Sequence, residues 1–169
     1  MSDARPHRTA ADVTLRPIRL PDDAEAVKAI IAAIWQGGTS ALMEQRFGEI
    51  AGRPWIDWQW RSVEPYLAAA NNEAYVAVLD GRIVGFCSCS IDRERSVGEV
   101  GYNGVSPDCK GQGVGGLMMN HIMTRIRSLG MTYASVIVAN NDQHIPARKM
   151  YEKHGFKPLV NFDCLVQKL

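Results

Sequence analysis

Nowhere does this chain approach the roughly 20 consecutive apolar residues of a membrane-spanning helix. It also lacks a surplus of either charge, because 19 Lys and Arg stand against 18 Asp and Glu for a net charge of +1. Those two absences argue against a membrane role and against a polybasic stripe that would hold nucleic acid. Cysteine is scarce, with only Cys87, Cys89, Cys109 and Cys164 in 169 residues. They form no C-x-x-C pair and no set with His at zinc spacing, so no metal is expected and the thiols should be reduced. Cys87 and Cys89 fall on one face of an expected strand and read as small buried apolar groups, while Cys109 lies in a loop. No Ser or Cys nucleophile motif, internal repeat or low-complexity linker is present. The first eleven residues lack the apolar core of a secretion signal and read as a flexible arm, with residues 12–169 as one domain and the cytoplasm as its expected location.

Glycine, by contrast, is concentrated where it can do chemistry. Val105-Ser-Pro-Asp-Cys-Lys-Gly-Gln-Gly-Val-Gly-Gly116 holds four glycines in six residues and runs straight into a helical stretch, Leu117 to Leu129. Glycines there remove the Cβ atoms that keep phosphate away from the backbone, and amides at a helix N-terminus carry partial positive charge. A nucleoside-triphosphate loop would need Gly-Lys-Ser/Thr, which Gly115-Gly116-Leu117 does not supply. Gly111, Gly113 and Gly116 do match the G-x-G-x-x-G spacing of a dinucleotide fold. That fold also wants an acidic residue about 20 positions on, and Met131 to Val138 contains none.

A third reading accounts for more of the chain. Lys110-Gly111-Gln112-Gly113-Val114-Gly115 resembles the Arg/Gln-x-x-Gly-x-Gly/Ala signature of the GNAT superfamily of acetyl-coenzyme A-dependent acetyltransferases, with Lys in place of the first residue. Val105-Ser106-Pro107 fits that family's exit from strand to loop. Ala147-Arg148-Lys149-Met150-Tyr151-Glu152-Lys153-His154-Gly155-Phe156 is similar to its Ala-x-x-x-Tyr-Glu-Lys-x-Gly-Phe segment. Where the family carries an Asn three residues before that Ala, this chain has His144, with Asn140 and Asn141 close by as replacements.

The pattern of elements agrees with an α/β domain. Val13 to Arg19 alternates as a strand, and Ala24, Val27, Ile30, Ile31 and Ile34 mark an amphipathic helix. Helices are expected over Ser40 to Ile50 and Ser62 to Ala70, separated by Gly52-Arg53-Pro54 and a tryptophan-rich segment. Tyr75 to Leu79 and Ile83 to Ile91 flank a turn at Asp80-Gly81 and spell a hairpin. Glu99 to Val105, a helix from Gly113 to Leu129 and a strand from Tyr133 to Val138 form a β-α-β unit. Pro146 then opens a last helix, and Phe156 onward offers strand material. The resemblance implies a mixed, mostly antiparallel central sheet flanked by helices, whose two splayed middle strands, Glu99 to Val105 and Tyr133 to Val138, admit coenzyme A.

From this resemblance follow the site expectations. The cosubstrate would be held by Gly104 and Val105 on the strand, by the loop from Lys110 through Gly111, Gln112, Gly113, Val114 and Gly115 to Gly116, and by Asn141, His144 and Tyr151. An amine with a pKa near 10.4 must lose a proton before attacking a thioester, and Glu99 is placed to take it directly or through water, or else is a surface charge. Tyr151 occupies the family's general-acid position for the leaving thiolate, or packs on the sheet beside Phe156. Gly104 and Val105 would donate backbone amides to the oxyanion. Asp57 and Trp58, in Trp55-Ile-Asp57-Trp58-Gln-Trp60, combine aromatic faces with a carboxylate suited to a cationic acceptor, unless they bury a connection or a dimer contact. Lys110, Arg148, Lys149 and Lys153 are either phosphate contacts or helix-surface charges. Transfer of acetyl to the primary amine of a small molecule is the expected function. Acetylation of a protein or peptide and non-catalytic sensing of acetyl-coenzyme A are the alternatives, and a homodimer is expected from base rate.

Overall fold

The computed structural model describes residues 12–167, so the arm expected over residues 1–11 lies outside the described residues. Five strands form one sheet in the order β1 (Thr14–Pro17), β2 (Asn72–Leu79), β3 (Arg82–Asp92), β4 (Val97–Val105) and β5 (Tyr133–Val136). The first four pair antiparallel and β5 lies parallel to β4. Helices α1 (Ala24–Ile34), α2 (Thr39–Phe47) and α3 (Trp55–Ala68) precede β2, α4 (Val114–Ser128) crosses from β4 to β5, and α5 (Ile145–Lys153) follows. This is the mixed, mostly antiparallel architecture that the sequence implies.

Each face of the sheet has its own core. On one, α4 lays Met118, Met119, Ile122 and Ile126 over Cys87, Cys89 and Val100, with Tyr151 of α5 completing the cluster. On the other, Val27, Ile30 and Ile31 of α1 and Val63 and Leu67 of α3 cover Val76 and Phe86. Helix α1 starts where Asp23, 5% exposed, accepts two bonds from the Arg16 guanidinium at 2.7 and 2.8 Å and one from the Arg19 amide at 2.7 Å. Among the described residues no single helix is long and apolar enough to cross a membrane; α1 and α2 pass that test only as a pair bent by 62°.

Two expectations are corrected. Helix α3 begins at Trp55 rather than Ser62, so the tryptophan-rich segment is its first turns. The apolar series Ile56, Trp60, Val63 and Leu67, spaced four, three and four residues apart, keeps one stripe against the second core, and that burial outweighs the backbone bond lost at Pro65. Residues 157–167 form no strand. Pro158 lacks an N–H for a ladder, and Leu159, Phe162 and Leu165 stay exposed.

Strand β4 changes character along its length. From Val97 to Val100 it pairs with β3 on one side and with β5, residues Tyr133 to Val136, on the other. Then Gly101 and Tyr102 together oppose the single residue Ser88, whose hydroxyl donates to the Tyr102 carbonyl at 2.8 Å. That bulge shifts the register, and from Gly101 to Val105 the strand keeps β3 alone. The sheet is splayed at this point.

Candidate active site

Two turns build the loop after β4. Ser106 accepts from the Cys109 amide at 2.9 Å, and its hydroxyl donates to Asp108 at 2.5 Å. Asp108 also pairs with Arg82 of β3 at 2.5 Å, which pins the loop to the sheet. Gly111 and Gly113 then adopt φ of +81° and +84°, a left-handed backbone in which a Cβ is strained, and Gly113 is the residue from which α4 starts. Val114, Gly115 and Gly116 form the first turn, where helical amides have no intrahelical acceptor. A Cβ built on Gly111 or Gly116 would meet nothing within 4 Å. These residues therefore present open backbone and a helix N-terminus, the features a pyrophosphate needs. Lys110 is exposed beside them, and Cys109 is buried beneath, only 2% exposed.

The unpaired end of β4 lies next to this loop. Main-chain groups that turn away from β3 between Gly101 and Val105 have no strand to meet on the β5 side, the condition for holding an extended amide ligand. Gly104 cannot accept a side chain without displacing its neighbours, since a Cβ there would lie 2.5 Å from Ile34 and 3.0 Å from Phe86. On the opposite, α4 and α5 face of the same segment stands Tyr151, 6% exposed. Its ring meets Phe156 edge-on at 5.9 Å, and its hydroxyl accepts a hydrogen bond from the Asn103 side-chain amide at 3.0 Å. Burial pushes the Tyr151 phenol up from its ordinary value while the Asn103 bond pulls it down. The phenol is thus protonated at neutral pH, as a proton donor must be.

Glu99 lies in the doubly paired part of β4, opposite Ser90 of β3 and Ser135 of β5. It shares a face with Gly101, and that face looks toward α3: a Cβ on Gly101 would lie 2.3 Å from the Tyr66 hydroxyl. Burial raises the Tyr66 phenol, and the Glu99 carboxylate adds to that rise. Tyr66 meets Tyr102 edge-on at 5.0 Å, and Tyr102 lies 5.6 Å from Trp35. Glu99 and Tyr151 therefore approach β4 from its two opposite faces, with the splay between.

Asn141 and His144 come together in the loop between β5 and α5. Asn141 donates its amide to the Gly37 carbonyl at 3.2 Å, so its oxygen accepts from His144 Nδ1 at 2.6 Å. Burial lowers the His144 pKa, keeping the ring neutral with Nε2 as an acceptor. Asn140 bonds Arg148. Asp57 and Trp58 have partners within the chain: Lys28 of α1 reaches Asp57 at 2.7 Å, the Trp58 indole donates to Ile50 at 2.9 Å, and Arg53 and Arg61 lie 5.8 and 5.6 Å from its ring centre.

Asn103 has no counterpart among the sequence expectations. Its signal was present, however: Asn is unfavourable inside strands, and Gly101, Asn103 and Gly104 crowd into one five-residue run. Cys87 and Cys89 are pushed up to about 12 and about 11, and burial is the main cause in both.

Residues 36–156 match the sequence profile of the Acetyltransferase (GNAT) family. The chain belongs to that family. A mycothiol acetyltransferase from Mycolicibacterium gilvum (strain PYR-GCK) is 27% identical over an alignment covering 96% of this chain and 51% of that protein, so the chain spans about half the length of this curated relative. A protein of Desulfovibrio desulfuricans assigned to the GNAT family has the same fold at a TM-score of 0.68, with 18% identity over 88% of this chain and 87% of its own. The ribosomal-protein-S18-alanine N-acetyltransferase of Escherichia coli superposes at 0.64, with 17% identity over 88% and 79% of the two chains. Family members use acetyl-coenzyme A, and the open glycine loop, the free first turn of α4 and the unpaired edge of β4 fit it.

Proposed function

We propose that this GNAT protein transfers acetyl from acetyl-coenzyme A directly to the primary amine of a small molecule. One observation carries the reading: a protonated, buried phenol, Tyr151, is held against the unpaired segment of β4, with a carboxylate, Glu99, on that strand's other face. Bound acetyl-coenzyme A supplies the activated thioester. The chain's own residues supply the rest. Gly111, Gly113 and the first turn of α4 hold phosphate oxygens, with Lys110 adding a cation. The Val105 amide turns away from β3, because the next amide, Ser106, donates to Val84 at 2.8 Å, and it meets negative charge on the acyl oxygen; the expected Gly104 amide faces β3 instead. Glu99 removes the amine proton, directly or through water, and Tyr151 gives one to the departing sulfur. Burial holds Cys87 and Cys89 as neutral thiols, so neither stands ready as the nucleophile of an acyl-enzyme.

An acceptor amine would approach on the α1 and α3 side, where Glu99, Tyr66 and Tyr102 stand together. Asp57 and Trp58 lie on the same helical layer, already engaged by Lys28, Ile50 and two arginines. A cytoplasmic location and a single domain over residues 12–169 belong to this proposal. A small-molecule acceptor agrees with the mycothiol relative, whereas the Escherichia coli neighbour acts on a protein alanine.

Melting curves with acetyl-coenzyme A, free coenzyme A and NADPH in parallel test the cosubstrate. At a hundredfold excess over Kd the coenzyme A ligands should raise the melting temperature by about 5–10 °C. A rise with NADPH alone would overturn the assignment. Thiol release with a panel of small amines, set against N-terminal peptides, then decides the acceptor class.

A further inference from the structure

The contact between Asn103 and Tyr151 has a direction. The Asn103 amide nitrogen lies 3.0 Å from the Gly101 carbonyl and 3.0 Å from the Tyr151 hydroxyl oxygen. A carbonyl can only accept, so Gly101 fixes which end of the amide faces this way. The second hydrogen of the same nitrogen then points at the phenol, and the phenol oxygen is the acceptor in that bond. Its own hydrogen is left out of the contact that holds the ring. Had the amide been turned over, the phenol would donate to Asn103 and its proton would be committed.

Two features make this arrangement specific. The bulge sets two residues, Gly101 and Tyr102, against Ser88, which brings the Gly101 carbonyl within reach of a side chain two positions later and leaves Asn103 opposite Cys87 on the α4 and α5 face. The Tyr151 ring also packs edge-on against Phe156. Burial and the Asn103 bond are the two influences on the titration of its phenol. From β3 comes the Cys87 thiol, pushed up to about 12 by burial, and from the loop the buried Cys109. From α4 come methionines and Ile122, with His121 turned onto Tyr75 at 4.3 Å. On α5 itself Lys149, Glu152 and Lys153 are exposed, and Arg148 is bonded to Asn140.

We propose that Asn103 is a positioning residue for proton transfer: anchored on the bulge carbonyl, its amide donates to the Tyr151 oxygen, orients the phenol and keeps its hydrogen available for the leaving sulfur. The proposal rests on the acetyltransferase reading above. In the step it serves, the carbon–nitrogen bond forms as the carbon–sulfur bond breaks, the amine proton leaves toward Glu99 or water, and the phenol O–H bond breaks as the S–H bond forms. Solvent then returns a proton to the phenolate, whose charge the Asn103 donor stabilises in the interval.

The test uses the full chain with Asn103→Leu, which removes the donor, and Asn103→Asp, which keeps the shape and replaces the donor by an acceptor. Tyr151→Phe identifies which step of the near-ultraviolet phenolate titration belongs to Tyr151. In Asn103→Leu that step should move to higher pH by about half a unit to one unit, the worth of one hydrogen bond to the charged form. The alkaline limb of kcat should move with it while kcat falls about tenfold and the acetyl-coenzyme A KM stays within about twofold. Asn103→Asp, if folded by its melting curve, should fall below Asn103→Leu, because its carboxylate captures the phenol hydrogen. An unmoved titration step in Asn103→Leu, or wild-type kcat in Asn103→Asp, overturns the proposal. Failure of the acetyltransferase reading looks different: wild-type protein releases no thiol with any amine although the titration step still moves, and the catalytic part of the proposal falls with it.

Discussion

The two ends of β4 differ in what holds them. From Val97 to Val100 the strand is paired on both sides and packed so closely that a Cβ on Gly98 would sit 2.5 Å from Ile126. From Gly101 to Val105 it keeps one neighbour, carries the bulge, and meets Tyr151 through a side-chain amide instead of a strand. The first end owes its order to the chain. The second has its hydrogen-bonding capacity left over, and the proposed function uses that surplus to hold acetyl-coenzyme A. The lesson is that stability and function can be separated along nine residues of one strand.

The open end should break hardest in turnover. Tyr151→Phe keeps the ring against Phe156 and removes the proton, so kcat should drop at least about 100-fold with acetyl-coenzyme A affinity unchanged. A full-rate enzyme would reduce Tyr151 to packing. At the boundary between the ends, Glu99→Gln should lower kcat/KM for the amine by about tenfold or more, with little change in melting temperature. An equal loss at every pH would show that Glu99 binds rather than takes a proton.

At the zipped end, a methyl group should cost stability alone. Gly98→Ala should destabilise by about 1–2 kcal/mol, a few degrees in melting temperature, with kcat intact. Gly104→Ala, which crowds Ile34 and Phe86, should lose both. The smallest effect lies behind the sheet, where Arg125 of α4 grips Glu73 of β2 at 2.6 and 2.8 Å and Tyr75 donates to the same carboxylate at 2.7 Å. The Arg125 bond holds Glu73 below the ordinary carboxylate range against the opposing push of burial. A depressed carboxyl contributes stability above its unfolded pKa of about 4.3 and loses it as pH falls through the lower folded value. Both side chains are partly exposed, so Glu73→Gln should cost about 1 kcal/mol or less at neutral pH. Melting curves should show that gap closing below about pH 4.

What could be read from the sequence follows the range of the interactions that fix each feature. The phosphate loop is local: Gly111 and Gly113 take left-handed backbone within one turn, and their spacing declares it. The hairpin of β2 and β3 and the apolar stripe of α1 are likewise short-range. The start of helix α3 is hidden in the sequence because Gly52-Arg53-Pro54 and Pro65 look like breaks, while the burial of Ile56 and Trp60 that overrides them is tertiary. Tyr151 could be named from its motif, but its partner could not. Asn103 is 48 residues away, and only the bulge, set by pairing to β3, turns it to that side. In the same way nothing in Trp55 to Trp60 showed that Lys28, 29 residues earlier, reaches Asp57.

One contact ties the chain that leaves β5 to the first helical layer. The loop after β5 reaches across to the turn between α1 and α2, where Asn141 bonds the Gly37 carbonyl and Gln143 lies so close that a Cβ on Gly37 would be 2.4 Å from it. The two segments are therefore buttoned together by one amide and one close contact, 104 residues apart in the chain. A side chain at position 37 would first displace the flexible end of Gln143, while the Gly37 carbonyl would stay free to accept from Asn141.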